Sequence, residues 1–196
     1  MRSIPLASAK EIAARILTRF ASERPRIYLA GKVRHRNDWR NRLTGGCVSV
    51  RDEFDPHEVV PLENFTMTGP FVSSWLEEHD PATHGVADGG GRSTERRRIF
   101  DADMARIGRS DFVFGYIDAS DAHGTQVEIG HAHALGKPVF LTFDPALSEN
   151  VVDDHWFAAQ AAVVLPGPLE AAFATALNLW RSCRSRESIR SKPRRQ

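Results

Sequence analysis

The 196-residue chain has only two cysteines, Cys47 and Cys183, far apart and without a CxxC or Cys/His ligand spacing. That excludes a disulfide framework and gives no zinc signature. No apolar run approaches the roughly 18 residues that a membrane span requires. The N-terminus lacks the apolar segment of a secretory signal, so the expected compartment is the cytoplasm, without membrane association. No GxGxxG and no Walker pattern occurs, which leaves a dinucleotide or P-loop site unsupported. His131 and His133 stand two apart on a predicted helix and point about 200° apart, and His79 and His84 fall in an irregular stretch. No metal site is expected from them.

What is present reads as one globular domain. Hydrophobic residues at 41% and charged residues at 26% exclude wholesale disorder. The formal charge is +1, but residues 181–196 hold seven basic side chains against one Glu. The other 180 residues carry 19 basic and 24 acidic side chains, a body that does not suit a nucleic-acid-binding face. Only the basic tail offers one. Residues 1–25 predict an N-terminal amphipathic helix, with Ile12, Ile16, Leu17 and Phe20 at helical spacing and Pro25 after it. Residues 26–183 form the domain, and 184–196 are expected to be a disordered basic tail.

Within the domain, Arg26–Gly31 (RIYLAG) reads as a buried strand and Cys47–Val50 as a second candidate. Residues 52–92, rich in Pro, Gly, His and Asp, read as loop, of the kind that walls a pocket. A helix capped by Ser93 or Thr94 runs to about Arg109, followed by the strand DFVFGYI, a polar bend, a helix over 125–135 closed by Gly136, and the strand KPVFLTF. A turn of helix at 155–160, a short run at 161–165 and a last helix from Leu169 to about Cys183 complete the pattern. Helices alternating with near-continuous apolar strands predict an α/β fold: a single doubly wound parallel sheet of about five strands, Rossmann-like or flavodoxin-like. Ligands bind such sheets beyond the carboxyl ends of the strands, so the loops after Gly31, Ile117 and Phe143 should share the site.

The bend after Ile117 holds Asp118, Ser120, Asp121, His123, Gly124 and Thr125, and Glu128 is expected in the first turn of the next helix. There the helix dipole and free N–H groups favour an ionised carboxylate, a ready nucleophile or base. Gly124 and Gly130 would allow close backbone approach. A second carboxylate from the preceding helix, which carries Asp101 and Asp103, would supply the acid/base partner that cleavage of a glycosidic bond requires.

IYLAGKV (27–33), the DxDMxxI pattern at Asp101–Ile107, SDFVFGYID (110–118) and GTQVEIGHAHALGKPV (124–139) resemble the nucleoside 2-deoxyribosyltransferase family over residues 26 to about 165. The resemblance implies that Glu128 attacks the anomeric carbon, that Asp103 protonates or orients the base, and that Tyr28 positions the nucleophile. It implies no cofactor, a small-molecule nucleoside or nucleotide substrate, and a homo-oligomer in which a neighbour's C-terminal region closes the pocket. The stretch around Trp156 and Phe157 suits that contact. TGPFVSS (68–74) resembles the family's base-pocket wall and adds Phe71. With the sheet-edge loops, the substrate-binding candidates are Gly31, Phe71, Asp101, Asp118, Asp121, His123, Gly124 and Thr125.

One departure stands out. Six positions before the nucleophile the family carries an acidic residue for a 5′-hydroxyl, or Ser in nucleotide hydrolases, and this chain has Ala122. Asp121 or Asp118 would substitute through a shifted bend, whereas Ser120, His123 and Arg92 would suit a phosphate. The expected activity is cleavage or transfer at an N-glycosidic bond through a glycosyl-enzyme intermediate on Glu128. The alternatives are an NAD-cleaving hydrolase and a nucleotide-binding sensor without turnover.

Overall fold

Short apolar runs that bury all or all but one of their residues set the architecture. In the computed structural model, which describes residues 24–33, 38–46, 53–71 and 92–190, β1 (Arg26–Gly31) pairs in parallel with both β3 (Thr66–Gly69) and β4 (Phe112–Ile117). β4 pairs with β5 (Val139–Phe143), and β5 with β6 (Val163–Val164), again in parallel. β2 (Val60–Pro61) adds an antiparallel edge to β3, giving the order β2-β3-β1-β4-β5-β6. The parallel strands follow the flavodoxin-like order, with its switch point between β1 and β4.

The sheet has six strands rather than about five, because β2 and β3 lie in the segment whose composition reads as loop. Two residues including Pro61, and four (TMTG) ending in glycine, are too short to show a strand period; pairing with β1 makes β3 a strand. The expected N-terminal helix, the Cys47–Val50 strand, His79 and His84 lie outside the described residues.

Period-two alternation sends β1 side chains into two cores. Ile27 and Leu29 join Phe112, Phe114 and Phe140 against α6 (Leu169–Arg190), which presents Leu169, Ala172, Phe173, Ala176, Leu177 and Trp180. That i, i+3, i+4 spacing places one helical stripe on the sheet, and each large apolar side chain so buried contributes about 1.5–3 kcal/mol. Edge-to-face contacts of Phe112 with Phe140 (5.3 Å) and Phe114 with Phe173 (5.1 Å) fix the packing. On the opposite face Tyr28 and Ala30 meet Ile107 of α2 (Arg92–Arg109) and Ile129 and Ala132 of α3 (His123–Ala134). α1 (Arg40–Thr44) follows β1 and ends at Gly45 with φ 65°. α4 (Glu149–Asp154) and α5 (Trp156–Gln160) lie between β5 and β6.

Two element boundaries and the role of two glycines differ from the sequence reading. α6 continues to Arg190, through residues expected to be disordered tail, since a helix anchored by Trp180 propagates one hydrogen bond per residue at little cost. α3 begins at His123, so Glu128 sits in its second turn rather than its first. A Cβ at Gly124 or Gly130 would meet nothing within 4 Å; the close approaches are at Gly31 and Gly115. Among the described residues no helix is long and apolar enough to cross a membrane.

Candidate active site

Three elements converge at the carboxyl end of β1. Tyr28 points from β1 to the face covered by α2 and α3, and its hydroxyl donates to Oε1 of Glu128 at 2.6 Å. Oε2 of Glu128 is buried and makes no hydrogen bond among the described residues. Asp103, from the middle of α2, faces the same pair. Its Oδ1 accepts from Nη1 of Arg106, one turn on, at 2.8 Å. Arg106 is 1% exposed, donates through Nη2 to the carbonyl of Asp55 at 2.7 Å, and lies over the ring of Phe71 at 4.9 Å. Gly69 makes room: a Cβ there would come within 2.9 Å of Cδ of Arg106 and 3.2 Å of the Tyr28 ring, and its φ of 140° disfavours side chains.

Burial controls the ionisation of this cluster. It pushes Glu128 up to about 8, assisted by the charge of Asp103 and opposed by the Tyr28 hydroxyl, Arg40 and the Gly31 backbone. Burial also raises Asp103, to about 6, against the pull of Arg106, Arg40 and Tyr28. Tyr28 stays firmly protonated, raised by burial and by both carboxylates. The local argument for an ionised Glu128 at a helix start is therefore corrected, since desolvation outweighs the dipole of a helix that begins five residues earlier. Two carboxyl groups pushed to different values around one phenol are suited to opposite acid and base roles.

The other sequence candidates spread around this centre. Gly31 ends β1 with the Trp39 indole and the Tyr116 carbonyl each 2.8 Å from where a Cβ would stand. Asp118 directly follows β4 and is half-buried; Thr125 is buried in the first turn of α3, where His123 and Gly124 are exposed. Asp121 is exposed and bound by Lys32 at 2.6 Å, which holds its carboxyl below the usual range. That pair spans the loops after β1 and β4. Asp101 is exposed and paired with Arg97 at 2.9 Å, apart from the Tyr28–Glu128–Asp103 cluster. Phe71 is buried beneath Arg106.

Sequence reasoning missed Arg40, Asp38 and Arg106. Arg40 is 1% exposed and Asp38 7%; Nη1 of Arg40 reaches Oδ1 and Oδ2 of Asp38 at 3.0 and 2.9 Å. The polar stretch KVRHRNDWRNRL reads as a loop with a helical turn, and only the rarity of unpaired buried arginine, once burial is known, marks these residues.

A family model described as Nucleoside 2-deoxyribosyltransferase matches residues 27–157. A solved structure of a 2-deoxyribosyltransferase from the psychrotolerant bacterium Bacillus psychrosaccharolyticus is 21% identical, with a TM-score of 0.42, over 72% of this chain and 86% of that one. Comparison with curated proteins finds no match.

Proposed function

The chain belongs to the nucleoside 2-deoxyribosyltransferase family, and from that premise we propose that it cleaves or transfers the N-glycosidic bond of a nucleoside or nucleotide, with Glu128 as nucleophile. The observation that carries this reading is the asymmetric environment of Glu128. Oε1 is held by Tyr28, while Oε2, buried and without a hydrogen bond among the described residues, keeps its lone pairs for an incoming carbon.

The chemistry then balances as follows. Oε2 attacks C1′ as the C1′–N bond breaks, and that electron pair leaves with the base, which takes the proton carried by Asp103. Water, or a second base in transfer, attacks C1′ of the glycosyl-Glu128 ester and gives its proton to Asp103, freeing the Glu128 carboxylate. The reactive form has Asp103 protonated and Glu128 ionised, whereas burial leaves the proton mainly on Glu128. Tyr28 lies between them: accepting from one carboxyl while donating to the other, it exchanges the two forms without a proton leaving the cluster. The pair is singly protonated between about pH 6 and about 8, so activity should follow a bell over that range.

We extend the reading to self-association. Trp156 and Phe157 are 62% and 76% exposed and stack edge to face at 5.4 Å. The edge strand β6 exposes Val163 and Val164 as well, a concentration of apolar surface that a second copy would cover.

Incubation with a panel of nucleosides, 5′-nucleotides and NAD, with and without a second base, tests the function. Free base, or exchanged base, from a nucleoside or nucleotide supports it. Nicotinamide release alone transfers the site to NAD cleavage, and binding without turnover by the wild type makes it a sensor.

A further inference from the structure

We propose that Arg40 is a positioning residue of this site, a buried guanidinium that stands in for a missing strand beside the end of β1 and balances the charge of the carboxylate pair. The inference rests on the reaction proposed above. The carbonyl of Pro25 accepts from Thr66, on the β3 side, and the carbonyl of Arg26 from Asp111, on the β4 side. Alternation along β1 then turns the carbonyls of Leu29 and Gly31 toward β3. β3 has ended by that point, since its last residue, Gly69, stands opposite Tyr28, and Pro70 has no N–H to offer.

Arg40 fills the gap. Nε donates to Leu29 O at 2.9 Å and Nη2 to Gly31 O at 2.6 Å, a spacing that matches the planar fork of a guanidinium and that one ammonium cannot reproduce. Nη1 and the backbone N–H of Arg40 hold Asp38, and the guanidinium lies 4.6 Å above the Trp39 ring, which packs on Gly31. Buried carbonyls left without a partner are costly, so this clamp sets the path of β1 from Tyr28 to Gly31, the stretch that faces Glu128.

The same cation sets the charge count. The groups facing the pair formed by Asp103 of α2 and Glu128 of α3 are Tyr28 from β1, Arg40 after it and Arg106 from α2, and Asp38 joins them through its 2.9 Å ion pair with Arg40. With two arginines and the Asp38 carboxylate, one proton shared by Asp103 and Glu128 makes the cluster neutral. That is the protonation state which the reaction needs. Loss of the Arg40 charge favours a second proton; loss of the Asp38 charge favours none.

The test uses opposite signs. Arg40→Gln should move the pH–rate bell up by about one pH unit, and Asp38→Asn should move it down by a similar amount. Arg40→Lys keeps the charge and loses the fork, so its bell should stay near that of the wild type while kcat falls. Titration of the Glu128 carboxyl carbon by 13C NMR, assigned with Glu128→Gln, reads the same shifts without turnover. It therefore decides the role of Arg40 even if no panel substrate is cleaved, an outcome that would overturn only the reaction. If Arg40→Gln does not fold, a downward shift in Asp38→Asn supports the proposal. Unmoved titrations in the folded variants, or shifts of the same sign in both, overturn it.

Discussion

Tyr28 and Glu128 are 100 residues apart in the chain and joined by one 2.6 Å hydrogen bond across the face of the sheet. Tyr28→Phe removes the donor that holds the carboxylate and the bridge between Glu128 and Asp103. Both carboxyls lose a contact that lowers them, so the pH–rate bell should shift upward and kcat should fall roughly 100-fold, with a smaller change in KM. A full pH profile of the variant checks this; a wild-type rate and profile would remove Tyr28 from the mechanism.

Glu128→Gln should abolish turnover and raise stability, with a definite pH dependence. The folded carboxyl is raised from 4.5 to about 8, so between those values the native protein keeps a proton that the unfolded chain releases. The wild-type contribution is fully present below pH 4.5 and is lost as pH rises through about 8. The variant has no such loss. Its advantage in denaturant unfolding should grow from near zero at pH 4.5 to on the order of 5 kcal/mol at pH 8.5. A constant difference across that range would mean that Glu128 is not buried as described.

Asp103→Asn keeps the side-chain volume and removes the proton source. Natural bases, which are poor leaving groups, should lose about 100-fold in kcat, and an activated leaving group much less. Removal of the neighbouring negative charge also lowers Glu128, so its ionisation limb should move down. Equal loss for both classes of leaving group would make Asp103 a positioning residue only.

How much of this was legible in the sequence differs by element. The β4–α3–β5 block announces itself, because DFVFGYI and KPVFLTF are continuous apolar runs and Gly136, at φ 67°, closes the helix between them. Glu128 and Asp103 stand out from the bend after Ile117 and the helix before it, the resemblance adds Tyr28, and the structure brings the three side chains together. The ionisation of Glu128 was misread because the local signal was a helix start, whereas the deciding factor is burial by residues from β1 and α2. β3 and Arg40 were missed for a related reason. A four-residue strand and a buried arginine are defined by partners far along the chain, and neither leaves a period in its own sequence.

Gly31→Ala tests the packing beneath the site. The new Cβ would lie 2.8 Å from Cζ2 and Nε1 of Trp39 and 2.8 Å from the Tyr116 carbonyl, which belongs to the β4 backbone and cannot step aside. Overpacking of this kind costs about 1–3 kcal/mol. The strain also falls on the carbonyl that Arg40 holds, so unfolding should shift to lower denaturant and kcat should drop together. Unchanged stability by denaturant titration would show that the Trp39 contact yields freely.

Trp156 tests whether the site is shared between copies. Its indole is 62% exposed on a helix of five residues, beside Phe157 and close in sequence to the exposed valines of β6. Such a side chain contributes little to the fold of its own chain, so Trp156→Ala should leave unfolding within about 0.5 kcal/mol of the wild type. A truncated aromatic anchor in an interface, by contrast, commonly costs 2 kcal/mol or more, roughly a 30-fold weaker association. If a neighbour's α5 region closes the pocket, KM should rise in the same variant and recover as protein concentration restores the assembly. Light scattering and activity measured over one concentration series separate the outcomes. A wild-type monomer with full activity would show that each copy works alone, and the exposed pair on α5 would then have no part in catalysis.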